Sequence, residues 1–137
     1  MTQWHWESSR TPAGGINTHK RHGDKKLSQK GGNPTHTRLG AANETIVQKG
    51  RGQTQKIKTR VVQSIHVLDQ KSKKVVNAAL KTVVRNDANR QFARQNILTK
   101  GAIVRVSDGK TERLAQITNR PGQTGGVHAK FVEEKNE

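Results

Sequence analysis

The sequence predicts an all-β protein: a small antiparallel β-barrel-like domain with one short helix and an extended basic N-terminal arm. Three observations predict it. Apolar residues make up 29% of the 137, well below the ~45–50% of ordinary globular chains. The shortfall falls at the start: residues 1–43 hold only Met1, Trp4, Trp6, Ala13, Ile16, Leu27, Leu39, Ala41 and Ala42. From Ile46 to Val132, apolar residues instead recur at period two, in short runs divided by turn sequences. That is the pattern of antiparallel strands in a barrel or sandwich.

Residues 1–32 are the expected arm. Pro12, Gly14-Gly15, Gly23 and Gly31-Gly32 interrupt the backbone too often for a helix or strand. The β domain is expected over 33–132, and 133–137 form a frayed acidic tail. "TIVQK" is a short strand ending at "GRGQTQ", a turn or long hairpin loop. "KIKTRVVQSIHVL" then alternates over an unusual length. Ile57, Val61, Ile65 and Val67 share one parity, and Lys56, Lys58, Arg60 and His66 the other, so the two sets should face opposite ways. "DQKSKK" is a polar turn. "VVNAALKTVV" is a strand with Val76, Ala78, Leu80 and Val84 on one face. A helix is the alternative there, because Ala-Ala-Leu-Lys favours one, but the valine pairs and the neighbouring strands favour a strand.

"NDANRQFARQN" is the helical turn. Asn86 or Asp87 would cap it by accepting free amides. Ala88 and Phe92 share one face, and Arg90 and Arg94 another, each pair spaced i, i+4. "AIVRVSDGKTERLAQIT" is a hairpin turning at Asp108-Gly109, where both residues tolerate positive φ. Pro121-Gly122 suits the centre of a type II turn. "VHAKFV" closes the domain with Val127, Ala129 and Phe131 inward and His128 and Lys130 outward.

Net charge is +16, and it is unevenly placed: +9 over residues 1–60, +6 over 61–100 and +1 over 101–137. Positive charge at this density repels itself unless a polyanion is present, so nucleic acid or an anionic membrane is implied. No apolar run approaches the ~20 residues of a spanning helix. The arm has no apolar face to lie on a membrane, and no secretory h-region is visible. Cysteine is absent, which excludes disulfides and thiolate zinc sites. The chain reads as intracellular.

No catalytic set suggests itself. The acids are scattered, Asp108 is explained by its turn and Asp87 by a cap. His19 and His22 stand among cations without carboxylate or thiolate company, so no metal and no cofactor is expected. "KGRGQTQ" lacks the order of a nucleotide-binding loop. It is either a flexible hairpin tip or a glycine-rich loop whose Arg51 touches phosphates.

The basic residues carry the functional expectation. Lys20, Arg21, Lys25, Lys26, Lys30 and Arg38 can neutralise phosphates along a groove. Lys56, Lys58 and Arg60 form a stripe on one strand face, and Arg90, Arg94 and Lys100 a further patch. Trp4 and Trp6 either stack on unpaired bases or staple the arm to a protein surface. DNA-binding helices and zinc fingers are absent. With two Phe, two Trp and no Tyr, so is an aromatic RNA-binding sheet. A flexible basic arm on a small β domain suits folded RNA.

The assembled motifs resemble a known family. "WHWESSRTPAGG" at the start, "NPTHTRLG" at 33–40, "NDANRQFARQNILTKGAIV" at 86–104 and "NRPGQTGGVHA" at 119–129 are similar, in order, to segments of ribosomal protein S8e, a small-subunit family shared by archaea and eukaryotes. The compact length resembles archaeal members. Two features depart from the family: Ile16-Asn17 after the Gly-Gly, and "GRGQ" where an Arg-Gly-Gly-Asn-like loop is expected. The resemblance implies a non-enzymatic constituent of the cytoplasmic ribosome, a monomer within the particle. Its partners would be small-subunit ribosomal RNA and neighbouring ribosomal proteins, with no membrane and no small-molecule substrate. Arg10, Asn89 and Arg120 lie in the matched motifs and join the expected RNA contacts. The alternatives are a ribosome-assembly or RNA-chaperone factor on precursor ribosomal RNA, and a DNA-compacting protein.

Overall fold

The computed structural model describes residues 3–5, 8–17, 25–50, 52–109 and 111–132. The chain forms two compact units, Met1–Pro34 and Thr35–Glu137.

In the first unit, strand β1 (Gln3–Trp4) pairs antiparallel with β2 (Lys30–Gly31), Gln3 opposite Gly31 and Trp4 opposite Lys30. A 3-10 turn at Leu27–Gln29 leads into β2, and the His5 amide donates to the Gln29 carbonyl at 2.8 Å. Gly31 is required here, because a Cβ would strike the His5 imidazole. A second small ladder joins Arg10 to Ile16, closed by Thr11 N–H to Gly15 carbonyl at 2.8 Å. The glycines that rule out long elements thus permit tight turns, so a segment expected to be extended pairs locally. None of its described residues is buried: Leu27 is 80% exposed and Ile16 76%.

The second unit begins with a three-stranded sheet. Strand β5 (Gln55–Val62) lies between β3 (Arg38–Leu39), parallel to it, and β4 (Glu44–Lys49), antiparallel. The chain then enters a closed barrel of β6 (Ser64–Leu68), β7 (Val75–Arg85), β8 (Ile103–Ser107), β9 (Glu112–Ile117) and β10 (His128–Phe131), in the order β10-β6-β7-β8-β9. Helix α1 (Arg90–Arg94) fills the β7–β8 connection. All barrel neighbours are antiparallel except β10 and β6, whose parallel pairing closes the ring.

Alternation produces the core. Ile65 and Val67 of β6, Ala78 and Leu80 of β7, Val104 and Val106 of β8, Ala115 and Ile117 of β9 and Ala129 of β10 all point inward and are buried. Leu98, Ala102 and Val127 add to them, and Phe131 packs from the rim. Burying each large aliphatic side chain contributes about 1.5–3 kcal/mol.

Several details differ from the sequence expectation. The long run 56–68 is two strands. Gln63 interrupts it, its amide and that of Ser64 diverted to the Asn43 side-chain oxygen at 2.7 and 3.3 Å. Parity therefore resets, and Val62, not Val61, is buried, while Ile57 is 48% exposed. In β7 the register shifts between Leu80 and Thr82. A bulge moves following side chains to the other face, so Val83 is 7% exposed and Val84 47%. The cap of α1 is Asn89, whose side chain accepts from the Gln91 amide at 2.9 Å, rather than Asn86 or Asp87. Asn86 is buried and Asp87 binds Arg85. Asp108 donates its amide to Thr111, so the β8–β9 turn is centred one residue later than expected, with Gly109 at φ 83°. The Gln123 amide bonds the Arg120 carbonyl around Pro121-Gly122. Gly122 does not take the positive φ that a type II turn needs.

Candidate nucleic-acid interface

In the first unit, the Lys25 ammonium sits 5.5 Å from the Trp4 ring centroid, a cation–π contact that leaves the ring half-buried. Lys26 and Lys30 are exposed, and Arg10 is exposed beside its turn. Lys20, Arg21, Trp6, His19, His22 and the tail 133–137 lie outside the described residues, as does Arg51.

In the second unit, register decides which cations share a face. Across the β4–β5 hairpin, Gln48 stands opposite Lys56 and Ile46 opposite Lys58. With Arg60 two residues on, these form one face. Lys56 also reaches the Gln123 side-chain oxygen at 3.3 Å. That contact belongs to a seam in which the turn bearing Arg120 runs along β5. Thr59 donates its amide to the Pro121 carbonyl at 3.0 Å and its hydroxyl to the Thr124 carbonyl at 2.7 Å. Thr37 in turn donates its hydroxyl to the Thr59 carbonyl at 2.6 Å. Both threonines are 2% exposed, so these bonds are shielded and fix the turn and β3 against β5.

The chain leaving α1 lies along the other edge of β3. Arg38 bridges Ile97, and Leu98 donates to the Thr37 carbonyl at 2.8 Å. The His36 and Phe92 rings meet edge-on, with centroids 5.6 Å apart, which anchors α1 by its apolar side. Arg90, Arg94 and Lys100 are exposed. Asn89 is occupied in part by the cap, its side-chain oxygen held by the Gln91 amide. The elements bearing Arg120, Lys56–Arg60, Arg38 and Arg90–Lys100 are therefore consecutive neighbours on one unit.

Exposed guanidinium and ammonium groups of this kind can neutralise a polyanion, each phosphate contact releasing counterions. Among the described residues, no group of three or more His, Asp or Glu side chains could hold a metal ion, and no helix is long and apolar enough to cross a membrane. Sequence reasoning missed Ile46 and Gln48 as members of the Lys56–Arg60 face. The signal was the hairpin closure, Gly50 N–H to Thr54 carbonyl at 2.8 Å, which sets the pairing.

A family model described as Ribosomal protein S8e matches residues 4–132. The chain is similar to small ribosomal subunit protein eS8 of Methanosphaera stadtmanae, 39% identical over 134 residues that cover 97% of this chain and 100% of that protein. It is 34% identical over 116 residues to the protein of the same name from Sulfurisphaera tokodaii, covering 83% of this chain and 86% of that protein. The Pyrobaculum aerophilum protein of that name is 34% identical over 109 residues, 80% of each chain.

Proposed function

The chain belongs to the ribosomal protein S8e family, and on that premise we propose that it is a structural, non-enzymatic constituent of the small ribosomal subunit that binds and stabilises folded ribosomal RNA. It works in the cytoplasm, as a monomer within the particle, beside other small-subunit proteins. The basic segment 1–32 and the β domain 33–132 each supply contacts. One observation carries the reading: the Arg120 turn, β5, β3 and the α1 segment are successive neighbours. Their cations would meet a polyanion from both faces of the sheet, Lys56, Lys58 and Arg60 on one and Arg38, paired with Val61, on the other.

Each Lys or Arg on a phosphate steepens the salt dependence of binding. The charge of +16 exceeds the magnitude of ~2–8 that solubility asks of a small domain. Sedimentation of a tagged copy tests the reading. The protein should travel with mature small subunits at low salt and leave them as salt rises. Absence from small subunits would sink it. Recovery from precursor particles alone would transfer the role to an assembly factor.

A further inference from the structure

We infer that the β4–β5 hairpin lies flat along the minor groove of an A-form RNA duplex, its lysines reaching the flanking phosphates. The inference rests on the ribosomal-RNA reading above and specifies what that part of the protein binds.

Strand β4 is the edge of its sheet, and all six of its residues are exposed. Ile46 is 43% exposed, Val47 58% and, across on β5, Ile57 48%. Soluble proteins normally blunt such an edge with charge or cover it. A partner is therefore expected in the working state.

The hairpin has two unlike faces. On one, Ile57 is pressed against Gly125, where a Cβ would come within 2.8 Å of the isoleucine Cγ2, and Thr59 is tied to the Pro121 and Thr124 carbonyls. Its own loop covers that face in part, around Thr59, while Val47 and Ile57 on it stay 58% and 48% exposed. By register the other face carries Ile46, Gln48, Lys56, the half-buried Lys58 and Arg60, the Lys56 ammonium also bonding the Gln123 side chain at 3.3 Å. The hairpin's acid, Glu44, stands opposite Val61 beyond a bulge and so falls on the loop side. The open face is basic, with an isoleucine and a glutamine amide in the middle.

Three occupants are conceivable, and the arrangement favours one. A single strand of RNA is held by stacking on aromatic rings, and this face has none. An acidic peptide added as a strand would lie along β4, whose central residues Thr45, Ile46, Val47 and Gln48 are neutral. The cations Lys56, Lys58 and Arg60 belong to β5, the inner strand, so an added strand would sit two strand spacings from them, about 9–10 Å. A duplex lying on the face meets them directly. The minor groove of A-form RNA is wide and shallow and displays 2′-hydroxyls. Ile46 fits against riboses there and the Gln48 amide against a 2′-hydroxyl. In B-form DNA the minor groove, only ~6 Å wide, is too narrow for a two-stranded ribbon, and the major groove, which admits one, offers no 2′-hydroxyl to Gln48.

Fluorescence anisotropy on the full chain at fixed salt tests this. The probes are a short blunt RNA duplex, the DNA duplex of the same sequence and the single RNA strand. The RNA duplex should bind most tightly. Ile46→Asp should weaken it about tenfold and leave the single strand unchanged. Lys58→Gln should lower the salt slope for the duplex by about one. Gln48→Ala, at an exposed position, replaces Ile46→Asp if that variant melts early. Equal affinity for the DNA duplex, preference for the single strand, or no effect of the face variants would overturn the inference while leaving the ribosomal reading standing. So would an acidic peptide that displaces the duplex from the wild type but fails to bind Ile46→Asp. No binding of the wild type to any RNA probe would likewise overturn the inference, and if the protein is also absent from small subunits the ribosomal reading itself falls.

Discussion

Replacing Asn86 by alanine should cost about 3 kcal/mol. Asn86 is 5% exposed and ties together the two ends of the loop that carries α1. Its Nδ2 donates to the Ile97 carbonyl at 3.2 Å, and its Oδ1 accepts from the Ala88 amide at 3.1 Å and from the Thr99 hydroxyl at 2.9 Å. Each such bond contributes about 0.5–1.5 kcal/mol net, and a buried partner left unsatisfied costs more. Losing the set therefore removes a large share of the ~5–15 kcal/mol typical of a folded domain. For a domain near 100 residues, 1 kcal/mol shifts Tm by about 4–8 °C, so a fall of about 12–24 °C is expected. Urea denaturation followed by circular dichroism is the assay, with the midpoint lowered and the slope unchanged. Thr99→Val should cost about 1 kcal/mol alone and less in the Asn86→Ala background, where its partner is already gone. A loss under about 1 kcal/mol, or full additivity of the two changes, would refute the account of Asn86 as the anchor of this loop.

Three more outcomes are expected. Changing Arg90, Arg94 or Lys100 singly to glutamine should weaken RNA binding and lower its salt slope by about one each; an unchanged slope for all three would remove this patch from the interface. Val83→Ala should cost about 1.5 kcal/mol, from two buried carbons at ~0.8 each, and Val84→Ala under about 0.5; the reverse order in urea midpoints would mean that β7 has no bulge. The Asp69 carboxyl is held below its ordinary value of 3.8 first by the Lys71 amide and then by the Ser72 hydroxyl. A depressed folded value means that its stabilisation is complete above the unfolded value and is lost as pH falls through the folded one. Asp69→Asn should thus be less stable than wild type at neutral pH and converge with it in acid; a gap that stays constant into acid would contradict this.

The barrel was legible because its strands obey a local rule. Ile65 and Val67, Ala78 and Leu80, Val127 and Ala129 are inward at spacing two, as their sequence pattern predicts. Misreadings began where one residue breaks that rule. Gln63 resets the parity of β5 against β6, and the bulge after Leu80 exchanges Val84 for Val83. Such irregularities depend on where a partner strand supplies its next hydrogen bond, and the strand's own sequence does not record that. Type II geometry at Pro121-Gly122 failed for a related reason. That turn is fitted to β5 through the Pro121 and Thr124 carbonyls, which outweighs the dipeptide's own preference.

The basic surface divides along the same line. Which residues are charged was plain, but which of them are neighbours was not, because the grouping is set by pairings between distant segments. Arg38 comes beside β5 only through the parallel β3–β5 pairing, where it stands opposite Val61 and so on the face away from Arg60, and it meets the α1 segment through its bridge to Ile97. Lys56 and Lys58 gain Ile46 and Gln48 as companions only in the hairpin register observed. A slip of one residue would turn Ile46 and Gln48 to the opposite face, and the same cations would then flank Val47 and Lys49. The bulge between Glu44 and Thr45 would accordingly bear on the proposed recognition as well as on the sheet, since it keeps the one carboxylate of the hairpin off the face that Lys56, Lys58 and Arg60 present.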